Sequence, residues 1–242
     1  MNIVLNHNTT VIDLGLIDYQ QAWEYQTKLF NEILAIKTEN RNRLPDQQLA
    51  TKNYFIFCEH PNVFTLGKSG DEKNLLIKKR DLPSIEASYF PTNRGGDITF
   101  HGPGQIVVYP VIDLENFFTD IHRYMRTLEE GVVQTLRTFL IDGGRIAGLT
   151  GVWLEAENKL RVRKICALGV KTSRWVTLHG LALNVNTDLH YFDYIVPCGI
   201  TDKAVTSMEK ELGAPQSTES VKSILKGNLL KLFGMKVLEG SP

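Results

Sequence analysis

Three amphipathic runs with a helical period bracket two stretches patterned as strands, and that order limits the folds open to this chain. From Tyr19 to Ile36, the residues Ala22, Gln26, Leu29, Ile33 and Ile36 share one helical face, with Trp23, Phe30 and Leu34 beside it. Asp18 is placed to cap that helix. A second helix is predicted over Ile121 to Leu140, through Tyr124, Leu128, Val132, Leu136 and Phe139, stopping at Gly143-Gly144. A third runs from Thr218 to Phe233 with Val221, Ile224, Leu225, Leu229 and Leu232 inward and Gly234 after its end. Between them, Tyr54 to Phe57, Ile106 to Ile112, Gly151 to Glu155, Leu160 to Val170 and Val176 to Val185 have strand composition. The expected fold class is α/β (α+β-like): a mixed sheet packed with helices on one face. No Pro/Ser/Gly-rich linker and no internal repeat divides the 242 residues, so one domain over residues 1–242 is expected. Lys37 to Lys52 reads as a loop or a helix extension.

Bulk properties remove several function classes. Twenty-seven basic and 27 acidic residues cancel, so nothing global argues for nucleic acid or an anionic membrane. No apolar run reaches the roughly 18 residues that a membrane span needs. Met1 to Thr10 has neither a signal-peptide core nor an Arg-rich transit pattern. Cys58, Cys166 and Cys198 form no CxxC pair, which fits free thiols in a reducing compartment and no zinc site. A cytoplasmic location is therefore expected.

Several residues carry candidate chemistry. In the run Leu160 to Val170, Lys164 shares its parity with Leu160, Val162, Cys166, Leu168 and Val170, while Arg161 and Arg163 point the other way. A lysine on the apolar face loses hydration and gives up its proton more readily, which suits proton exchange near neutral pH. A register slip, or an edge position from which the ammonium reaches water, is the alternative. Cys198 sits in the turn-like Pro197-Cys198-Gly199, as a reactive thiol or an inert one. Cys58 and Cys166 fit small core residues. Arg94-Gly95-Gly96-Asp97-Ile98-Thr99-Phe100-His101-Gly102-Pro103-Gly104-Gln105 reads either as an anion or carbonyl cradle or as a glycine-rich surface loop. It matches neither a Walker A loop nor the dinucleotide GxGxxG spacing. His179-Gly180 lies inside a strand pattern, where glycine marks a close backbone approach. His60, His122 and His190 have no partner pattern.

Seven segments in order resemble the lipoyl(octanoyl) transferases. They are Glu59-His60-Pro61 with Thr65-Leu66-Gly67, and Arg94-Gly95-Gly96 with Thr99 to Gln105. Gly151-Val152-Trp153, Lys164 to Gly169, His179 to Asn184, Pro197-Cys198-Gly199 and Val205-Thr206-Ser207 follow. The resemblance spans about Asp13 to Met208 and leaves the third helix unmatched. It implies the fold of biotin and lipoate protein ligase catalytic domains. It also implies a catalytic Cys198/Lys164 dyad. Substrate contacts map onto Arg94, Gly95, Gly96, Asp97, Ile98, Thr99, Phe100 and His101, onto Ala167, Leu168 and Gly169, and onto Gly180, Leu181 and Ala182. Two positions depart from the family: Cys166 stands where alanine is more usual, and Asp97 where a neutral residue is.

The implied reaction takes octanoyl from octanoyl-acyl carrier protein through a cysteine acyl-enzyme. Its acceptors are a lysine on the lipoyl domains of 2-oxoacid dehydrogenases or on the glycine-cleavage H protein. No metal or nucleotide cofactor is expected. Backbone N–H groups near Leu168-Gly169 are candidates for the oxyanion site. Val162 and Leu168 are candidates for an acyl slot, where each buried methylene contributes about 0.8 kcal/mol. Lys159, Arg161, Arg163, Lys171 and Arg174 read as a basic cluster able to steer an acidic carrier, or as a solvated strand face. The competing readings are an ATP-dependent ligase, an octanoyl amidotransferase acting between lipoyl proteins, and an inactive carrier-protein-binding module.

Overall fold

The computed structural model describes residues 5–196 and 204–238. Asp18 caps α1 (Tyr19–Asn40), its carboxylate accepting from the N–H groups of Gln20 and Gln21. The helix outruns its expected end, and a 3-10 turn at Pro45–Gln47 follows, so Lys37 to Lys52 is part extension and part loop. Helix α2 (Ile121–Thr138) stops before the glycines expected to end it. Leu140 takes the left-handed conformation (φ 59°) and the Ile141 N–H reaches back to the Leu136 carbonyl. Ile141 returns to the core, and this contact offsets a left-handed residue that is not glycine. Gly143 and Gly144 instead form a short strand. Helix α3 (Met208–Leu212) is brief, and α4 (Thr218–Phe233) ends at left-handed Gly234 as expected.

The strands, in chain order, are β1 (Asn8–Leu16), β2 (Tyr54–Glu59), β3 (Val63–Leu66), β4 (Ser88–Pro91), β5 (Ile98–His101) and β6 (Gln105–Val111). Next come β7 (Gly143–Gly144), β8 (Val152–Leu154), β9 (Arg163–Ser173), β10 (Val176–Asn184), β11 (Ala204–Val205) and β12 (Lys236–Val237). Among the described residues the main sheet runs β12-β1-β2-β6-β10-β9-β8-β7, with β11 also paired to β9. The outer pairs β12-β1 and β1-β2 are parallel, and from β2 to β7 neighbours run antiparallel. A second sheet, β4-β3-β5, stands apart around Phe64, Leu82, Ile98, Phe100 and Ile195.

Helices cover both faces of the main sheet, not one. Strands β2 and β6 are apolar at both parities, so each face has to be sealed from water. Phe55, Phe57, Ile106 and Val108 pack under α2 and α4. Tyr54, Ile56, Val107 and Tyr109 pack under α1. No helix among the described residues is long and apolar enough to cross a membrane.

The run read as a strand from Leu160 begins only at Arg163. A turn from Glu155 to Val162 precedes it, with Asn158 accepting from the N–H groups of Arg161 and Val162, and Leu160 is 97% exposed. Strand β9 also carries a bulge. Val152 pairs with Cys166 and Trp153 pairs with Lys164, so two steps on β9 face one on β8. Ile165 and Cys166 are consequently both buried in the same core. Lys164 falls out of step with Cys166 and does not share its face.

Candidate active site

Past Cys166, β8 no longer covers the outer edge of β9. A cavity of about 380 Å³ opens there, between that edge, the Arg94–Asp97 turn and the loop at Gly148–Thr150. Its volume falls within the usual range for small-molecule sites. The three expected groups of substrate residues meet in it although they are far apart in sequence. Arg94 to Thr99 and His101 form one wall, Ala167 to Gly169 the open strand edge, and Gly180 to Ala182 the neighbouring strand. Phe100 is the exception. It is buried in the small second core, stacked on Tyr191 at 4.6 Å, because alternation along β5 turns it away from Thr99 and His101. Leu168 lines the cavity and Val162 does not.

Arg94 is nearly buried, and its guanidinium donates to both Thr65 and Gly95. Its Nη2 donates to the Thr65 carbonyl at 2.6 Å and to Thr65 Oγ1 at 3.0 Å, and its Nη1 donates to the Gly95 carbonyl at 3.0 Å. The Gly95 N–H donates to the Val170 carbonyl at 2.9 Å, which ties this turn to the edge of β9. Backbone groups alternate along a strand, so Leu168, two residues earlier, also turns its N–H and carbonyl toward this edge. Those of Gly169 turn toward β10. Asp97 accepts from Asn74 Nδ2 at 2.6 Å and from the Ile98 N–H at 2.7 Å.

Behind the wall runs a chain of buried polar groups. Gln105 Nε2 donates to Asn184 Oδ1 at 2.8 Å and to the Phe100 carbonyl at 3.1 Å. Its Oε1 is left to accept from His101 Nδ1 at 2.7 Å, which fixes that tautomer. Burial pushes the His101 imidazole down to about 3, with His60 and Arg94 adding repulsion, so it is neutral. His179 is also held near 3, first by burial and then by Arg94 and Lys171. It sits inside β10 at φ 62°, with Nε2 on Asn93 Oδ1 at 2.7 Å. The Gly180 beside it is required: a Cβ there would lie 2.0 Å from the Val108 carbonyl oxygen. His60, without a partner pattern in sequence, is buried between the Ile17 carbonyl and the Tyr109 hydroxyl, each at 2.7 Å.

Lys164 lines the cavity, with Nζ 4.5 Å from the ring centroid of Trp153. Cys198 lies outside the described residues. The residues flanking that gap are both anchored close to the cavity wall. The Val196 N–H donates to the Asn74 carbonyl at 2.8 Å, and Asn74 holds Asp97. Ala204 and Val205 pair with Arg163 and Lys164. Cys166, which departs from the family pattern, belongs to the core, and burial holds its thiol far above the usual range. Trp153, Tyr109, Gln105 and Asn184 line the cavity but were not among the expected site residues. Three of them lie in or beside the family-like segments, which was the available signal. The basic cluster does not form. Arg163 is clamped by Glu155 and Glu211, Arg161 pairs with Glu155, and Arg174 bonds Thr38. Lys171 and Arg174 stand at the other end of β9, roughly 30 Å away at about 3.3 Å per residue.

The model of the lipoyl protein ligase A/B catalytic domain family matches residues 18–229. The chain belongs to this family. The octanoyltransferase of Cytophaga hutchinsonii is 57% identical to it, over 96% of this chain and 95% of its own. The octanoyltransferase of Flavobacterium psychrophilum is 52% identical, over 97% of this chain and all of its own. Among solved structures, the bipartite lipoate protein ligase of Thermoplasma acidophilum superposes with a TM-score of 0.64 at 15% identity, covering 98% of this chain and 89% of that one. This last likeness concerns the fold alone, and it agrees with the fold expected for a lipoyl protein ligase A/B catalytic domain.

Proposed function

We infer that this chain is an octanoyltransferase of protein lipoylation, acting through a Cys198 acyl-enzyme with Lys164 as the proton-handling partner. The observation that carries the reading is identity above 50% along nearly the whole chain to octanoyltransferases. The placement of Lys164 on the cavity supports the assignment of roles. The donor is octanoyl-acyl carrier protein, and the acceptor is a lysine on a lipoyl domain or on the glycine-cleavage H protein.

A free thiol, with a pKa of about 8.5, is only a few per cent ionised at neutral pH, and a neighbouring ammonium raises that fraction. The Cys198 thiolate adds to the thioester carbonyl. The carrier's thiolate leaves as the tetrahedral adduct collapses, and it takes a proton from Lys164. The acceptor amine then attacks the enzyme thioester, Lys164 accepts a proton from it, and the Cys198 thiolate is released as the amide forms. The Leu168 N–H, on the edge of β9 beyond the reach of β8, is the donor proposed for the oxyanion; removing such a donor typically slows a reaction roughly 100-fold. Leu168, Val107 and Leu181 supply apolar wall for the octanoyl chain.

The test is intact mass after mixing with octanoyl-acyl carrier protein and no acceptor. One hydroxylamine-labile octanoyl adduct is expected, absent from Cys198→Ser and slow to form in Lys164→Ala. An adduct that survives Cys198→Ser, or no adduct on the parent, overturns the mechanism. ATP-dependent activation of free octanoate would favour ligase chemistry instead.

A further inference from the structure

Trp153 and Lys164 are cross-strand partners on β8 and β9, one step beyond the bulge. The ammonium stands 4.5 Å from the centroid of the indole ring, within the range where a ring face attracts a cation. Trp153 is only 2% exposed, so its ring presents a buried surface to the ammonium. The backbone leading into Trp153 is anchored. Gly151, two residues before it, has φ 122°, and a Cβ there would lie 3.3 Å from Lys164 Cε and 2.8 Å from the Cys166 carbonyl oxygen. The Gly151 N–H donates to Glu129 Oε1 at 3.0 Å. Glu129 is fully buried on α2 and is gripped by Arg126 at 2.6 Å and Arg145 at 3.2 Å. The helix thus sets the strand, the strand sets the ring, and the ring faces the ammonium.

We propose that Trp153 is a positioning residue for the transfer reaction, its ring face holding the Lys164 ammonium at the cavity. This rests on the reading of Lys164 as the partner of Cys198. An aliphatic side chain of similar reach fills space but has no negative face, so it removes the attraction of the ring for Nζ. The charged form of Lys164 is the one that favours the Cys198 thiolate, and the ring attracts only that form.

The experiment measures the rate of octanoyl-enzyme formation with octanoyl-acyl carrier protein. The proteins are the parent, Trp153→Phe, Trp153→Leu, and a parent series with tryptophans of increasing fluorination placed at position 153. Fluorine drains the ring face while keeping the shape, so this series stays informative if Trp153→Leu fails to fold. The rate is expected to fall stepwise with fluorination. Trp153→Leu should be slowed roughly tenfold, and Trp153→Phe should recover part of the loss. The same fluorinated series in a Lys164→Ala background should be flat. Rates indifferent to fluorination, or an equal fall without Lys164, overturn the proposal. If Lys164→Ala forms the octanoyl-enzyme at the parent rate, the dyad reading itself fails, a result distinct from indifference to the ring.

Discussion

Arg163 grips Glu211 through two parallel bonds, Nε to Oε1 and Nη2 to Oε2, at 2.6 Å each. Glu211 Oε1 also accepts from the Thr206 hydroxyl at 2.5 Å, and the Thr206 N–H meets the Lys164 carbonyl at 2.9 Å. The described chain resumes at Ala204 after the Cys198 segment, so this cluster ties its return to the strand carrying Lys164. Glu211→Gln is expected to cost about 2 kcal/mol in urea unfolding, because a charge-assisted fork is lost. Arg163→Lys should cost less, about 1 kcal/mol, since it keeps the charge but not the fork. Acyl-enzyme formation should slow in both, more in Glu211→Gln. Stability equal to the parent in Glu211→Gln would show that the fork contributes nothing.

Three buried neutral histidines make stability depend on pH in a defined direction. His101 and His179 are held to about 3, and His60 is lowered by burial as well. Their folded values lie below the unfolded value of about 6.5, so below that pH the unfolded chain binds protons that the native state refuses. Stability is therefore full above about pH 6.5 and is lost as pH falls toward 3, by at most roughly 1.4 kcal/mol per pH unit per histidine. Urea midpoints between about pH 5 and pH 7.5 should show this slope, and His101→Gln should flatten it. A midpoint that rises on acidification would contradict the assignment.

Thiol reactivity should single out one cysteine of three. Cys58 and Cys166 are buried, and burial drives both thiols well above the ordinary range. A thiol that stays protonated and shielded does not react. Brief alkylation of the native protein should modify Cys198 alone, and all three cysteines once the chain is unfolded. Rapid labelling of Cys166 in the folded protein would mean that the bulge does not turn it into the core.

Gly180→Ala tests the close approach at the centre of the sheet. The new methyl would sit 2.0 Å from the Val108 carbonyl oxygen and 2.7 Å from Pro110 Cδ, with β9 and β6 on either side. Such overpacking is expected to cost about 3 kcal/mol or more, read as a large drop in Tm or loss of soluble protein. A Tm within a degree or two of the parent, where 1 kcal/mol is about 2–4 °C, would show that the strands can part.

Local chemistry was legible without the fold. Asp18 and Gly234 mark helix ends through the chain's own backbone needs, and the structure keeps both. The continuous apolar run Tyr54 to Phe57 is a strand for the same local reason, and its two-sided apolarity is the sign that helices cover both faces. Strand β5 was hidden in a segment whose glycines resemble a surface loop, because its partner β3 lies more than 30 residues earlier. Gly143-Gly144 failed as a helix stop because a tertiary contact, Ile141 in the core, ended the helix sooner.

The order of motifs in the sequence was enough, by itself, to point to the family. It also named residues that line one cavity, Arg94, Leu168 and Gly180 among them. Only the tertiary structure decided which way they face. Period-two counting set Lys164 beside Cys166, and a single bulge, formed by packing β8 against β9, separated them. The same kind of long-range pairing sent Phe100 to a second core and spent Arg163 on Glu211. Side-chain direction in a sheet depends on register with strands distant in sequence, and one extra residue reverses it.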